Sequence, residues 1–251
     1  MNQISKWIKK YAEKNKIANL IVGISGGVDS GLVSTLCAET KLNTYIVSMP
    51  IHQRSDQLTR ARNHAKWLQS KYSNVTFIEK DLTETFDNFS SMFENKYKNN
   101  LSLANSRSRF RMVTLYQIAG ALGGLVVGTG NKVEDFGVGF YTKYGDGGVD
   151  ISPIADLYKT EVRELGRHLG IPQEIINAEP TDGLWEDDRT DEDQIGATYE
   201  ELEWVMEHGL DKLSYTQKEY KVFEKFLNFH NKNKHKMVSI PVFDLKEKEI
   251  I

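Results

Sequence analysis

Residues 25–30 read Ser25-Gly26-Gly27-Val28-Asp29-Ser30, the most informative stretch in this chain of 251 residues. Two glycines let backbone approach an anion closely, and two hydroxyls add donors. A carboxylate in the same turn can hold the magnesium ion that accompanies a polyphosphate. The stretch just before, Asn19-Leu20-Ile21-Val22-Gly23-Ile24, has the short β-branched character of a buried strand. The stretch after it, Gly31-Leu32-Val33-Ser34-Thr35-Leu36-Cys37-Ala38, has helical character. A strand, a glycine turn and a helix in that order aim the first N–H groups of the helix, with its dipole behind them, at one bound anion. The turn lacks the lysine of the common nucleoside-triphosphate loop and the spacing of the dinucleotide fingerprint.

Further strand and helix signals alternate through the first half. Strands are expected over 44–49, 75–78 and 125–128, and helices over 55–72 and 106–122. Such alternation predicts an α/β fold, a doubly wound parallel sheet with helices on both faces. Ligands in such sheets sit beyond the carboxyl ends of the strands. The Ser25 turn and Gly128-Thr129-Gly130-Asn131 both fall at such ends and are expected to share one cleft. Residues 128–153 carry seven glycines among aromatic and charged residues and read as a long functional loop. Helices are expected over 158–169, stopped by Gly170 and Pro172, and over 192–207 and 215–231. A polar loop spans 178–190, and a short basic tail ends the chain.

The length suits a single domain over 1–251, and a charged content of 27% is ordinary for a soluble protein. A net charge of −3 argues against a general nucleic-acid binder. Residues 1–16 lack the apolar core of a signal peptide, and no apolar run is long enough to span a membrane. The single cysteine, Cys37, excludes an internal disulfide and fits the cytoplasm; its place on an apolar helix face implies packing rather than reactivity. Asp56, Asp81 and Asp87 read as caps or surface charges.

The Ser25 turn resembles the pyrophosphate loop of enzymes that split ATP into AMP and pyrophosphate. The segment Gly128-Thr129-Gly130-Asn131-Lys132-Val133-Glu134, followed by Phe140-Tyr141-Thr142-Lys143-Tyr144-Gly145-Asp146-Gly147-Gly148-Val149-Asp150, resembles the signature of ammonia-dependent NAD synthetases. Arg109-Phe110-Arg111-Met112, residues 153–159, Pro180-Thr181 and His235-Lys236 agree in order and spacing. The resemblance implies that ATP adenylates the nicotinate carboxylate of deamido-NAD and that ammonia then displaces AMP. Adenylation is needed because a carboxylate is a poor electrophile, and the departing pyrophosphate needs its charge stabilised.

By the same resemblance, Gly23, Ile24, Ser25, Gly26, Gly27, Val28, Asp29 and Ser30 cradle the ATP phosphates. Asp29 and Glu134 hold magnesium. Thr129, Lys159 and Thr181 contact ATP, with Lys159 supplying the positive charge missing from the turn. Arg109, Lys143, Asp150, His235 and Lys236 hold deamido-NAD, and Asp146 lies near the attacking ammonia; Asp146 and Lys159 are the expected catalytic pair. The resemblance also implies a homodimer.

Three positions depart from the family pattern. Ala178 replaces a lysine, Arg189-Thr190-Asp191-Glu192 replaces a Gln-x-x-Asp-Glu pattern, and Met237 replaces the arginine after His-Lys. A tRNA-modifying enzyme on the same loop would want a basic extension or sulfur-carrying cysteines, which this chain lacks. A non-catalytic nucleotide sensor would not need Asp29, Glu134, Lys143 and Lys159 together.

Overall fold

The computed structural model describes residues 2–181, 190–209 and 215–243. Four parallel strands make the sheet: β1 (Asn19–Gly23), β2 (Asn43–Ser48), β3 (Val75–Glu79) and β4 (Gly124–Val127), in the order β3-β2-β1-β4. Central β1 pairs Gly23 with Val47 on one side and Val22 with Val127 on the other, so β1 and β4 end level. That alignment sets the Ser25 turn beside the Gly128 turn. Leu20, Ile21 and Val22 are completely buried, as a strand covered on both faces requires.

Helices α1 (Gln3–Lys14) and α2 (Val28–Glu39) cover one face, where Ile8, Leu32, Val33 and Leu36 meet Leu20, Val22, Leu125 and Val127. Helix α3 (Ser55–Lys71) joins that side through Ala61, Ala65 and Leu68 against Ile46. On the opposite face α5 (Asn100–Leu122) packs Leu115, Tyr116 and Ala119 over Ile21, Val47 and Val126. Each fully buried aliphatic side chain in these layers contributes about 1.5–3 kcal/mol. Among the described residues no helix is long and apolar enough to cross a membrane.

Several elements differ from the sequence expectation. Helix α5 starts at Asn100 rather than residue 106, because Asn99 and Ser102 form a reciprocal cap, and α4 (Thr83–Ser91) precedes it unannounced. The stretch 128–153 is not all loop: residues Val133–Val138 form a π-helical turn closed by left-handed Gly139. The expected helix 192–207 is two, α8 (Asp191–Ile195) and α9 (Tyr199–His208), broken at left-handed Gly196 and restarted by the Thr198 cap. Helix α10 (Gln217–Met237) extends past the expected end, so His235 and Lys236 lie on its last turn rather than in a tail. Two helices, α6 (Lys159–His168) and α7 (Gln173–Ile176), complete the order. Much of the expected loop 178–190 lies outside the described residues.

Candidate active site

The turn after β1 is built for close backbone approach. Gly26 has φ +87°, and a Cβ there would sit 2.7 Å from the Gln57 carbonyl of α3, so only glycine fits. Gly27 caps α2 without any side-chain bond, leaving the N–H groups of the first helical turn uncapped for an anion. The two serines brace the turn itself. Ser25 Oγ accepts from Gly27 N at 3.2 Å, and Ser30 Oγ donates to Gly27 O at 3.1 Å.

Asp29 points from the first turn of α2 to the start of α6. Lys159 Nζ lies 2.5 Å from Asp29 Oδ2 and 3.0 Å from Glu134 Oε1. The lysine is 3% exposed and the two carboxylates 17% and 18%. Burial alone pushes the Lys159 ammonium down, but the flanking carboxylates outweigh it and hold its pKa above the ordinary lysine value. Glu203 of α9 accepts from Thr160 N and Thr160 Oγ1, capping the helix whose first residue is Lys159.

Asn131, to which the sequence motif alone assigns no role, is completely buried. Its Nδ2 donates to Asp29 Oδ1 at 3.1 Å, while its Oδ1 accepts from Val133 N and Glu134 N. One amide thus orients both acids. Asp135 stands behind them, its carboxylate against Gly130. Burial, then the neighbouring Glu134, Asp146 and Asp29 charges, push its pKa up to about 8.

Asp29 and Glu134 fit magnesium by their chemistry: two hard oxygen donors converge on one cation, and Glu134 Oε2 accepts no hydrogen bond from the described residues. No group of three or more potential ligands occurs among the described residues, so such an ion would take its remaining ligands from substrate phosphates and water.

The glycine-rich loop beyond the π-helical turn is held from two sides. On α5, Ser108 Oγ donates to Asp146 Oδ1 at 2.7 Å, Thr142 Oγ1 donates to Asn105, and Arg109 donates to the Lys143 carbonyl at 3.3 Å. On α10, His230, Asn233 and Lys236 follow one another at helical spacing. His230 Nδ1 meets Gly137 O at 2.7 Å, and Asn233 Nδ2 donates to Val138 O at 2.9 Å. Lys236 Nζ donates to Gly139 O at 2.6 Å and Tyr141 O at 2.7 Å. Three side chains therefore satisfy the carbonyls at the open end of the π-helical turn.

The expected substrate contacts are thus distributed unevenly. Among the described residues Lys143 Nζ donates to the His235 carbonyl, at 3.5 Å, and lies near the Tyr144 ring. His235 is exposed. Asp150 uses both carboxylate oxygens within the fold, accepting from Tyr116 OH and Val126 N. Thr129 follows β4 and is half-buried. Thr181 lines a cleft of about 900 Å³ with His52, Arg54, Arg60, Arg107 and Ala178. Arg60 Nε is a buried donor without a hydrogen-bond partner among the described residues. Asp56 pairs with Arg60, Asp81 accepts from Thr83 N, and Asp87 meets His52. Arg189 lies outside the described residues.

Sequence reasoning missed Asn131, Tyr199 and Glu203 as parts of the acid–lysine cluster. Tyr199 donates to Glu134 from 65 residues away, a pairing with no local signal. A glycine turn opening a helix at the end of a central parallel strand, with two acids and a lysine converging beside it, defines a pyrophosphate-loop α/β enzyme. Residues 1–239 match the family model for NAD synthase, and the chain belongs to that family of ligases. It is 36% identical over 249 residues to the NH3-dependent NAD(+) synthetase of Alkaliphilus metalliredigens, covering 96% of each chain. The NMN synthetase structure from Francisella tularensis superposes with a TM-score of 0.87 at 26% identity, covering 97% of this chain and 96% of the other. The NH3-dependent NAD synthetase from Campylobacter jejuni gives 0.77 at 25% identity, covering 96% of each.

Proposed function

We propose that this protein amidates deamido-NAD with ammonia at the expense of ATP, yielding NAD, AMP and pyrophosphate. The observation that carries the reading is the convergence of Asp29, Glu134 and Lys159 beside the uncapped start of α2. In this reading residues 23–30 receive the ATP phosphates, and Thr129 and Thr181 contact the nucleotide. The 900 Å³ cleft that Thr181 and Gln57 line, with the Gln57 carbonyl against Gly26, has room for a nucleotide. Lys159 lends positive charge to the departing pyrophosphate. Asp29 and Glu134 hold magnesium, which when bound neutralises phosphate charge. Lys143 meets the nicotinate substrate, with Arg109 holding the loop that carries it; Asp150, His235 and Lys236 complete that wall. Asp146 faces the ammonia.

Free ammonia is the nitrogen donor in this reading, because the one cysteine of the sequence is a poor candidate for the nucleophile that hydrolyses glutamine. Cys37 is completely buried, and burial pushes its thiol far above the usual range. The whole of 1–251 acts as one unit, in the cytoplasm, as a homodimer. Exposed Met92, Phe93, Tyr97, Leu101 and Val113 around α4 and α5 are the apolar surface that supports a second copy, and sedimentation tests it.

The test is a product assay with deamido-NAD, ATP, magnesium and ammonium. NAD and AMP are expected in equal amounts, with glutamine a poor substitute; absence of both products overturns the proposal. The 0.87 TM-score to an NMN synthetase favours a second reading, in which nicotinate mononucleotide is the preferred acceptor of the same chemistry. The ratio of kcat/KM for the two nicotinate substrates decides between them.

A further inference from the structure

Among the described residues Tyr199 is the largest fully buried side chain, yet its hydroxyl faces the acid–lysine cluster. It opens α9, a helix started by the reciprocal Thr198–Glu201 cap, so its backbone position is set locally. Its hydroxyl lies 2.6 Å from Glu134 Oε1 and 3.3 Å from Asp191 Oδ2. Its ring centre lies 4.8 Å from Lys159 Nζ. One residue therefore touches both an acid and the cation of the cluster.

We propose that Tyr199 is a positioning residue of the active site, whose hydroxyl holds Glu134 in the orientation that presents its other oxygen to a divalent cation. A carboxylate on a short stem can rotate, and a donor fixed at one oxygen selects the rotamer. Glu134 Oε1 is occupied by Tyr199 and Lys159, whereas Oε2 accepts nothing among the described residues. The aromatic face beneath Lys159 adds cation–π attraction in a dry setting, which keeps the ammonium at the same oxygen. Phenylalanine would keep the packing with Leu202, Val205 and Val138 and lose only the hydroxyl. The proposal rests on the reading of Glu134 as a metal-holding residue.

The experiment titrates magnesium calorimetrically into the full chain saturated with a non-hydrolysable ATP analogue. Tyr199→Phe should weaken magnesium binding roughly 10–100-fold, as loss of a partner behind a metal ligand does, and leave the KM for the nicotinate substrate unchanged. Glu134→Gln should weaken it at least as much. Adding Tyr199→Phe to Glu134→Gln should cost nothing more, since the hydroxyl acts only through that carboxylate. Leu202→Val, a core change in the same helix, should lower thermal stability without altering magnesium binding. Unchanged binding in Tyr199→Phe beside a weakened Glu134→Gln overturns the positioning role alone. Unchanged binding in Glu134→Gln overturns the underlying metal reading and the proposal with it. Equal weakening by Leu202→Val overturns the proposal by making the effect one of general packing.

Discussion

Lys159 donates to Asp29 across 130 residues of chain, the ammonium resting between the turn that follows the central strand and the π-helical turn that follows its neighbour. The pair closes the acid–lysine cluster electrostatically, because a buried cation needs both carboxylates and the carboxylates need the cation.

Replacing Asp29 by Asn should abolish pyrophosphate release while the fold survives, since the amide keeps the shape and a contact to Asn131. Lys159→Met should be worse for stability, leaving two neighbouring carboxylates without their cation at a cost of about 3 kcal/mol, the low end for breaking a buried pair. Pyrophosphate assays and urea unfolding measure the two effects. An Asp29→Asn protein that releases pyrophosphate at the normal rate would remove Asp29 from the reaction.

Lys143→Ala should raise the KM for the nicotinate substrate and leave that for ATP nearly unchanged. Among the described residues its ammonium makes one long hydrogen bond, to the His235 carbonyl, and lies near the Tyr144 ring, so little folding energy depends on it. A hydrogen bond to a charged group is worth about 1.5–3 kcal/mol, roughly 10–150-fold in KM. Equal losses for both substrates would move Lys143 from recognition to catalysis or structure.

Lys236→Met separates a clamp from a contact. Its ammonium is already engaged by two backbone carbonyls, so its loss should destabilise the protein by about 1.5 kcal/mol, a midpoint shift of roughly 3–6 °C at this chain length. The KM for the nicotinate substrate should rise with it as the loop carrying Lys143 loosens. A higher KM with unchanged thermal stability would assign Lys236 to the substrate directly.

His64 makes stability fall on the acid side. Burial pushes its pKa down to about 4, and its Nε2 lies 2.8 Å from Ser34 Oγ. The unfolded chain takes up the proton near pH 6.5 while the folded one resists it until about pH 4. This contribution is therefore fully present above pH 6.5 and is lost progressively down to about pH 4, to the extent of about 3 kcal/mol. His64→Gln should flatten that limb of a urea-unfolding profile. An identical acid limb in the variant would show that another group controls it.

What the chain wrote locally was readable locally. Gly26 demands a turn that no other residue fits, and Leu20-Ile21-Val22 demands a strand buried on both faces. The α/β class and the shared cleft follow from these. Even unseen elements had short-range causes, such as the Asn99 cap that starts α5 and the Gly196 that divides α8 from α9. The tertiary structure alone decided the partners. Asn131 orients Asp29 from 102 residues away, and Tyr199 reaches Glu134 across 65. The turn at 133–138 is π-helical where His230 and Asn233 of α10 meet its last carbonyls, and Lys236 became a clamp on the carbonyls just beyond because helix α10 carried it there. Backbone conformation answers to a few neighbouring residues. A buried polar group must instead find its complement wherever packing delivers one, and no spacing along the chain records that distance.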